Sequence, residues 1–134
     1  MSAERFAERK TELNNALQRL REAAAQPETD LVRDAVFQRF EFTIELLWKC
    51  IKLYLERQGT ECGGPRPTFK GAFAEGLIDS PEEADAWMRA LEDRNLTSHV
   101  YDEALATRIF QHVTQEYLPL FGRMTAKIQT LVWE

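Results

Sequence analysis

Apolar residues recur along this chain at steps of three and four, and no segment alternates with period two. Phe6, Leu13, Leu17, Leu20 and Ala24 mark an amphipathic helix over about 2–25. Gln26-Pro27-Glu28-Thr29-Asp30 breaks it and offers Thr29 or Asp30 as the cap of a second helix, over about 31–58. There Val36, Phe37, Phe40, Phe42, Ile44, Leu46, Leu47, Trp48, Ile51, Tyr54 and Leu55 cover most of the circumference. Gln38, Glu41, Glu45, Lys49, Lys52 and Glu56 are left in one narrow polar stripe. A helix so apolar is buried on two sides. The pattern therefore predicts one side against its own domain and the other against a second subunit.

Gly59 ends the second helix, and a loop follows through Pro67. Gly63-Gly64 within it is no phosphate loop, since no strand precedes and no Gly-Lys-Ser/Thr follows. A short helix over 68–75 ends at Gly76. Ser80-Pro81-Glu82-Glu83 then starts another, with a capping serine, a proline at the first helical position and a glutamate closing the box. Ala84, Trp87, Met88 and Leu91 form its apolar side. The last helix begins near Asp102 and runs almost to the C-terminus. Its seam is Leu105, Ile109, Val113, Tyr117, Leu120, Met124, Ile128 and Leu131, and Pro119 is expected to kink it. The class is all-α: a four-helix bundle with an additional short helix, as a single domain over 1–134.

Composition changes this picture in three places. The net charge of -5 excludes a general nucleic-acid coat, because such proteins gain affinity by neutralising phosphates and are basic. Any RNA contact must be local and transient. The N-terminus shows no signal-peptide apolar run and no stretch reaches transmembrane length, so the expectation is a cytoplasmic protein without a membrane partner. Cys50 and Cys62 form neither a zinc spacing nor a disulfide framework and read as reduced thiols.

Candidate chemistry concentrates in Asp93-Arg94-Asn95-Leu96-Thr97-Ser98-His99-Val100-Tyr101-Asp102. Arginine grips phosphate with a rigid fork of donors, histidine moves protons near neutral pH, and the tyrosine hydroxyl is a modifiable oxygen. On an unbroken helix Arg94 and His99 would lie roughly 140° apart around the axis. They can share one phosphate only if the helix yields near Thr97, which Thr97, Ser98, Val100 and the capping Asp102 favour. Glu92, Asp93, Asp102 and Glu103 are placed to restrain Arg94 until substrate arrives. Asn95 and Ser98 would support the site. Glu41 and Glu45, one turn apart, form either a solvated stripe with Lys49 as partner or an acid/base pair, the stripe being the stronger reading. No metal is indicated, because one histidine with scattered acids is no ligand set, and no cofactor is expected. His112, Trp48, Trp87 and Trp133 read as packing residues. Taken alone, the Arg-His-Tyr run is more often a solvated junction than a site.

The order of pieces adds a family. The blocks are 39–49 (Arg39-Phe40-Glu41-Phe42-Thr43-Ile44-Glu45-Leu46-Leu47-Trp48-Lys49), 72–78 (Ala72-Phe73-Ala74-Glu75-Gly76-Leu77-Ile78), 91–102 from Leu91 to Asp102, and Tyr117-Leu118-Pro119-Leu120. Together they resemble the nucleotidyltransferase substrate-binding proteins, a branch of the HEPN superfamily that includes the HepT-like toxins. The resemblance implies an up-and-down bundle that pairs as a homodimer and works with a minimal nucleotidyltransferase encoded alongside. Carried over to this chain, it implies that Arg94 neutralises a phosphate and His99 acts as general acid/base in metal-independent RNA cleavage. It implies Tyr101 as the acceptor of an AMP group that silences the toxin. The leading expectation is thus a ribonuclease toxin held by a nucleotidyltransferase antitoxin. The alternative is a non-catalytic subunit that binds nucleotide or substrate for the transferase.

Overall fold

The computed structural model describes residues 2–99 and 102–134. Its helices are α1 (Ala3–Ala24), α2 (Asp30–Arg57), α3 (Pro65–Ala74), α4 (Pro81–Leu96), α5 (Glu103–His112) and α6 (Leu118–Thr130). A 3-10 turn, Thr97–His99, follows α4, and a π turn, Val113–Tyr117, joins α5 to α6 without a break. Four long helical rods and the short α3 make the all-α bundle that the periodicity predicts, with no strand among the described residues.

Local signals set most boundaries. Ser2, Thr29 and Ser80 each accept the backbone N–H three residues on, at 3.1 Å, and Asp102 accepts that of Ala104 at 2.9 Å. Each such cap stabilises its helix by about 1 kcal/mol. The short helix starts earlier than its periodicity suggests, at Pro65 with Gly64 as cap. The first turn of a helix needs no N–H donor, so Pro65 and Pro67 fit there rather than in the loop. Thr68 donates its hydroxyl to the Gly64 carbonyl at 2.7 Å and fastens that turn.

The core is a column of aromatic rings that clamps the rods together. Phe69 of α3 stacks on Trp87 of α4 at 4.6 Å, and Trp87 on Phe121 of α6 at 5.4 Å. Phe40 of α2 lies 5.7 Å from both Phe121 and Tyr117. Such pairs contribute about 0.5–1.5 kcal/mol each beyond their buried area. This column fixes α4 against α2, and with it the placement of the chemistry at the end of α4.

Two helices add detail to the pattern read from the sequence. Most of the apolar surface of α2 is covered inside its own chain, by α1, α3 and α6 among others. Phe42, however, is 61% exposed. It follows Glu41 and stands four residues from Gln38 and three from Glu45, so the 3.6-residue repeat puts it on the polar stripe instead of the core face. At Pro119 the helix widens upstream of the proline: the Leu118 N–H reaches the Val113 carbonyl, five residues back, where an α-helical bond spans four.

Candidate functional site

The 3-10 turn begins at Thr97, where the sequence suggests that the helix yields. α4 ends at Leu96, and Thr97 turns its hydroxyl back onto the Arg94 carbonyl at 2.7 Å. That side-chain bond competes with helix continuation and tightens the chain into the turn. The same hydroxyl meets the Glu41 carboxylate of α2, so the turn is tied across the bundle. Thr97 is buried, whereas Ser98 and His99 are exposed on the turn, as is Asn95 on the last turn of α4. Ser98 donates weakly to the Asn95 carbonyl at 3.4 Å. Tyr101 lies outside the described residues.

Arg94 faces α2. Its Nε is 3.5 Å from a carboxylate oxygen of Glu45, whose other oxygen accepts the Trp48 indole N–H at 3.2 Å and lies 3.9 Å from Lys49. Arg94, Glu41, Glu45, Phe42, Lys49 and Arg9 line a surface cavity of about 450 Å³. The guanidinium is therefore reachable from solvent, with a side chain about one-third exposed, but it is held by a carboxylate that an incoming anion must displace. An exposed pair of this kind contributes no more than about 1 kcal/mol, so displacement is cheap for a phosphate. Glu45 thus has both neighbours at once: Lys49 along its own helix, and the arginine across from it.

Three of the four carboxylates expected to restrain Arg94 are engaged elsewhere. Glu103 binds Arg33 at 2.9 Å, and Asp102 caps α5. Glu92 is exposed. Asp93 turns inward: its Oδ2 accepts the Tyr117 hydroxyl at 2.6 Å and sits 2.7 Å from His112 Nδ1. Consecutive residues on a helix point about 100° apart, so if Arg94 faces α2, Asp93 must face another rod. The restraint on Arg94 comes from the helix packed opposite, which neighbouring positions in sequence do not reveal. Burial and then the hydrogen bond to Asp93 push the Tyr117 hydroxyl well above the usual phenol range. The pairing makes His112 and Tyr117 a structural tie between α4 and the last rod. Among the described residues no cluster of three or more metal-ligating side chains forms, and no helix is long and apolar enough to cross a membrane.

The model of a family described as nucleotidyltransferase substrate binding protein like matches residues 8–130. A protein from Thermus thermophilus of known crystal structure is 34% identical, with a TM-score of 0.81 over 87% of this chain and 98% of that one. A Shewanella oneidensis HEPN toxin, tri-AMPylated and in complex with MNT antitoxin, superposes with a TM-score of 0.76 at 20% identity, covering 98% of this chain and 100% of its own. A toxin-antitoxin structure with AMP-PNP gives 0.76 at 18% identity, with the same coverage. At these last two identities the likeness is one of fold. No curated protein matches this chain in sequence.

Proposed function

The chain belongs to the nucleotidyltransferase substrate-binding-like family, and we propose that it is a metal-independent ribonuclease toxin that a minimal nucleotidyltransferase partner silences. In this reading Arg94 binds the scissile phosphate in the 450 Å³ cavity after displacing Glu45. His99 first accepts the proton of the RNA 2′-hydroxyl, whose oxygen attacks the adjacent phosphorus. The imidazolium then gives a proton to the departing 5′-oxygen, leaving a 2′,3′-cyclic phosphate. Silencing transfers AMP to the Tyr101 oxygen from a nucleoside triphosphate, with pyrophosphate leaving. The Shewanella toxin, AMPylated and bound to its antitoxin, supports that part of the reading.

The observation that carries the proposal is Arg94 lining an open cavity on the last turn of α4, which gives way after Leu96 to a 3-10 turn ending in an exposed His99. A second copy of the chain is proposed to sit on Leu31 and Phe42, which are 81% and 61% exposed. They stand about three turns apart on one face of α2. Because Phe42 also lines the Arg94 cavity, that pairing would bring two such cavities together. Purified protein should cut RNA in the presence of a chelator and leave cyclic-phosphate ends, and His99→Ala should reduce the rate by at least about a hundredfold. Equal cleavage by that variant would remove His99 from the chemistry.

The ion pair that occupies Arg94 favours a second reading, a binding subunit that presents nucleotide or substrate to the transferase. Here the free protein cuts nothing, and Arg94→Ala weakens ligand binding without relieving any toxicity in cells that express the chain alone.

A further inference from the structure

A second cavity opens beside that of Arg94, and its lining differs in charge from the molecule around it. It holds about 270 Å³ between the N-terminal half of α1 and the C-terminal half of α2. Arg5, Arg9, Lys49 and Lys52 line it with a single acid, Glu56, and the Trp48 ring forms part of its wall. Four cations against one carboxylate give a local charge of +3 on a chain whose net charge is -5. Arg9 and Lys49 line both cavities, so the two adjoin, but the Arg94 cavity also carries Glu12, Glu41 and Glu45, and the excess of positive charge is confined to the second.

The cations are weakly committed. Arg9 pairs with Glu12 at 3.2 Å, Lys49 with Glu45 at 3.9 Å and Lys52 with Glu56 at 3.9 Å, all within one turn of their own helices. Exposed pairs of that geometry contribute about 0.3–0.5 kcal/mol each, so a phosphate replaces the carboxylates readily. Trp48 is half-buried and oriented by its indole bond to Glu45, the same carboxylate that holds Arg94. A cationic groove with an aromatic ring beside it is the arrangement that grips single strands, phosphates on the charges and a base on the ring. It also reconciles an acidic protein with an RNA substrate, because the contact is confined to one track.

We propose that this α1–α2 groove holds the single-stranded RNA that flanks the scissile phosphate, with Arg5, Arg9, Lys49 and Lys52 on successive phosphates and a base against Trp48. The proposal rests on the ribonuclease reading for its ligand, but binding and cleavage separate the two. Fluorescein-labelled single-stranded RNA is titrated into the His99→Ala protein, with and without Arg5→Gln and Lys52→Gln together, over a range of salt. The double change should weaken binding about tenfold and lower the salt slope by about 1.4, the value for two lost phosphate contacts on a single strand. Trp48→Phe should abolish the part of the tryptophan quenching that RNA causes. In the His99-intact protein the double change should slow cleavage of a 20-mer and leave that of a dinucleotide, too short to enter the groove, unaltered.

Unchanged affinity and slope would overturn the proposal, as would an absence of RNA binding. AMP competing as well as the strand would make the groove a mononucleotide site and overturn it too. So would dissociation of a dimer by the double change, which would reassign the groove to subunit contact. Groove-dependent binding with no cleavage by any form would leave the groove standing and sink the ribonuclease reading.

Discussion

Removing the Asp93 carboxylate should show how the end of α4 is fixed. Asp93 Oδ2 accepts the Tyr117 hydroxyl at 2.6 Å and lies 2.7 Å from His112 Nδ1. Tyr117 has no exposed surface, so Asp93→Ala strands its hydroxyl away from water, at a cost of about 1–3 kcal/mol. His112, with a side chain 38% exposed, rehydrates and adds little. Packing lost with the carboxylate brings the expected destabilisation to about 2–4 kcal/mol. In urea the midpoint should fall by about 1–2 M at unchanged slope. The decisive comparison is a double-mutant cycle. Tyr117→Phe alone should cost about 1–2 kcal/mol, because a charge-assisted bond disappears. In the Asp93→Ala background it should be neutral or stabilising, since it then removes an unpaired buried hydroxyl. The coupling should be about 1–3 kcal/mol. If Tyr117→Phe costs the same in both backgrounds, the 2.6 Å contact contributes nothing and the tie between α4 and the last rod must be assigned to the aromatic column.

Three further outcomes are expected. Burial pushes the Cys50 thiol up from 9.0 to about 12. Above pH 9 the unfolded chain releases this proton and the folded one keeps it, so its contribution is full below about pH 9 and is lost as pH rises toward 12. Cys50→Ala should therefore lose stability less steeply than the parent between about pH 9 and 11 in urea titrations, and parallel curves would refute this. Gly122→Ala places a methyl 3.0 Å from Arg21 Nη2, a flexible tip that can swing aside. The gain in helix propensity should then raise stability by about 0.5–1 kcal/mol, measured by thermal melting, and a loss would mean that Arg21 cannot yield. Glu45→Gln frees Arg94 from its carboxylate, and RNA affinity of the His99→Ala protein should rise about threefold at low salt. A decrease would show that Glu45 positions the arginine rather than blocking it.

Much of this protein is written in short stretches of its sequence. Caps at Ser2, Thr29, Ser80 and Asp102 and the repeats of apolar residues are local, so they determined the helices, their starts and the all-α class within a few residues. The break at Thr97 was legible for the same reason, since a hydroxyl that bonds its own backbone acts within one turn. Packing decided the rest. Which acid holds Arg94 depends on α2 lying across from α4, and so Glu45 holds it while the adjacent Asp93 turns to Tyr117 and His112. The groove of Arg5, Arg9, Lys49 and Lys52 exists only because α1 and α2 run side by side, joining cations that are far apart in the chain. Periodicity tells which face of a helix is apolar, but the partner of each polar side chain is set by rods that meet only in the folded molecule.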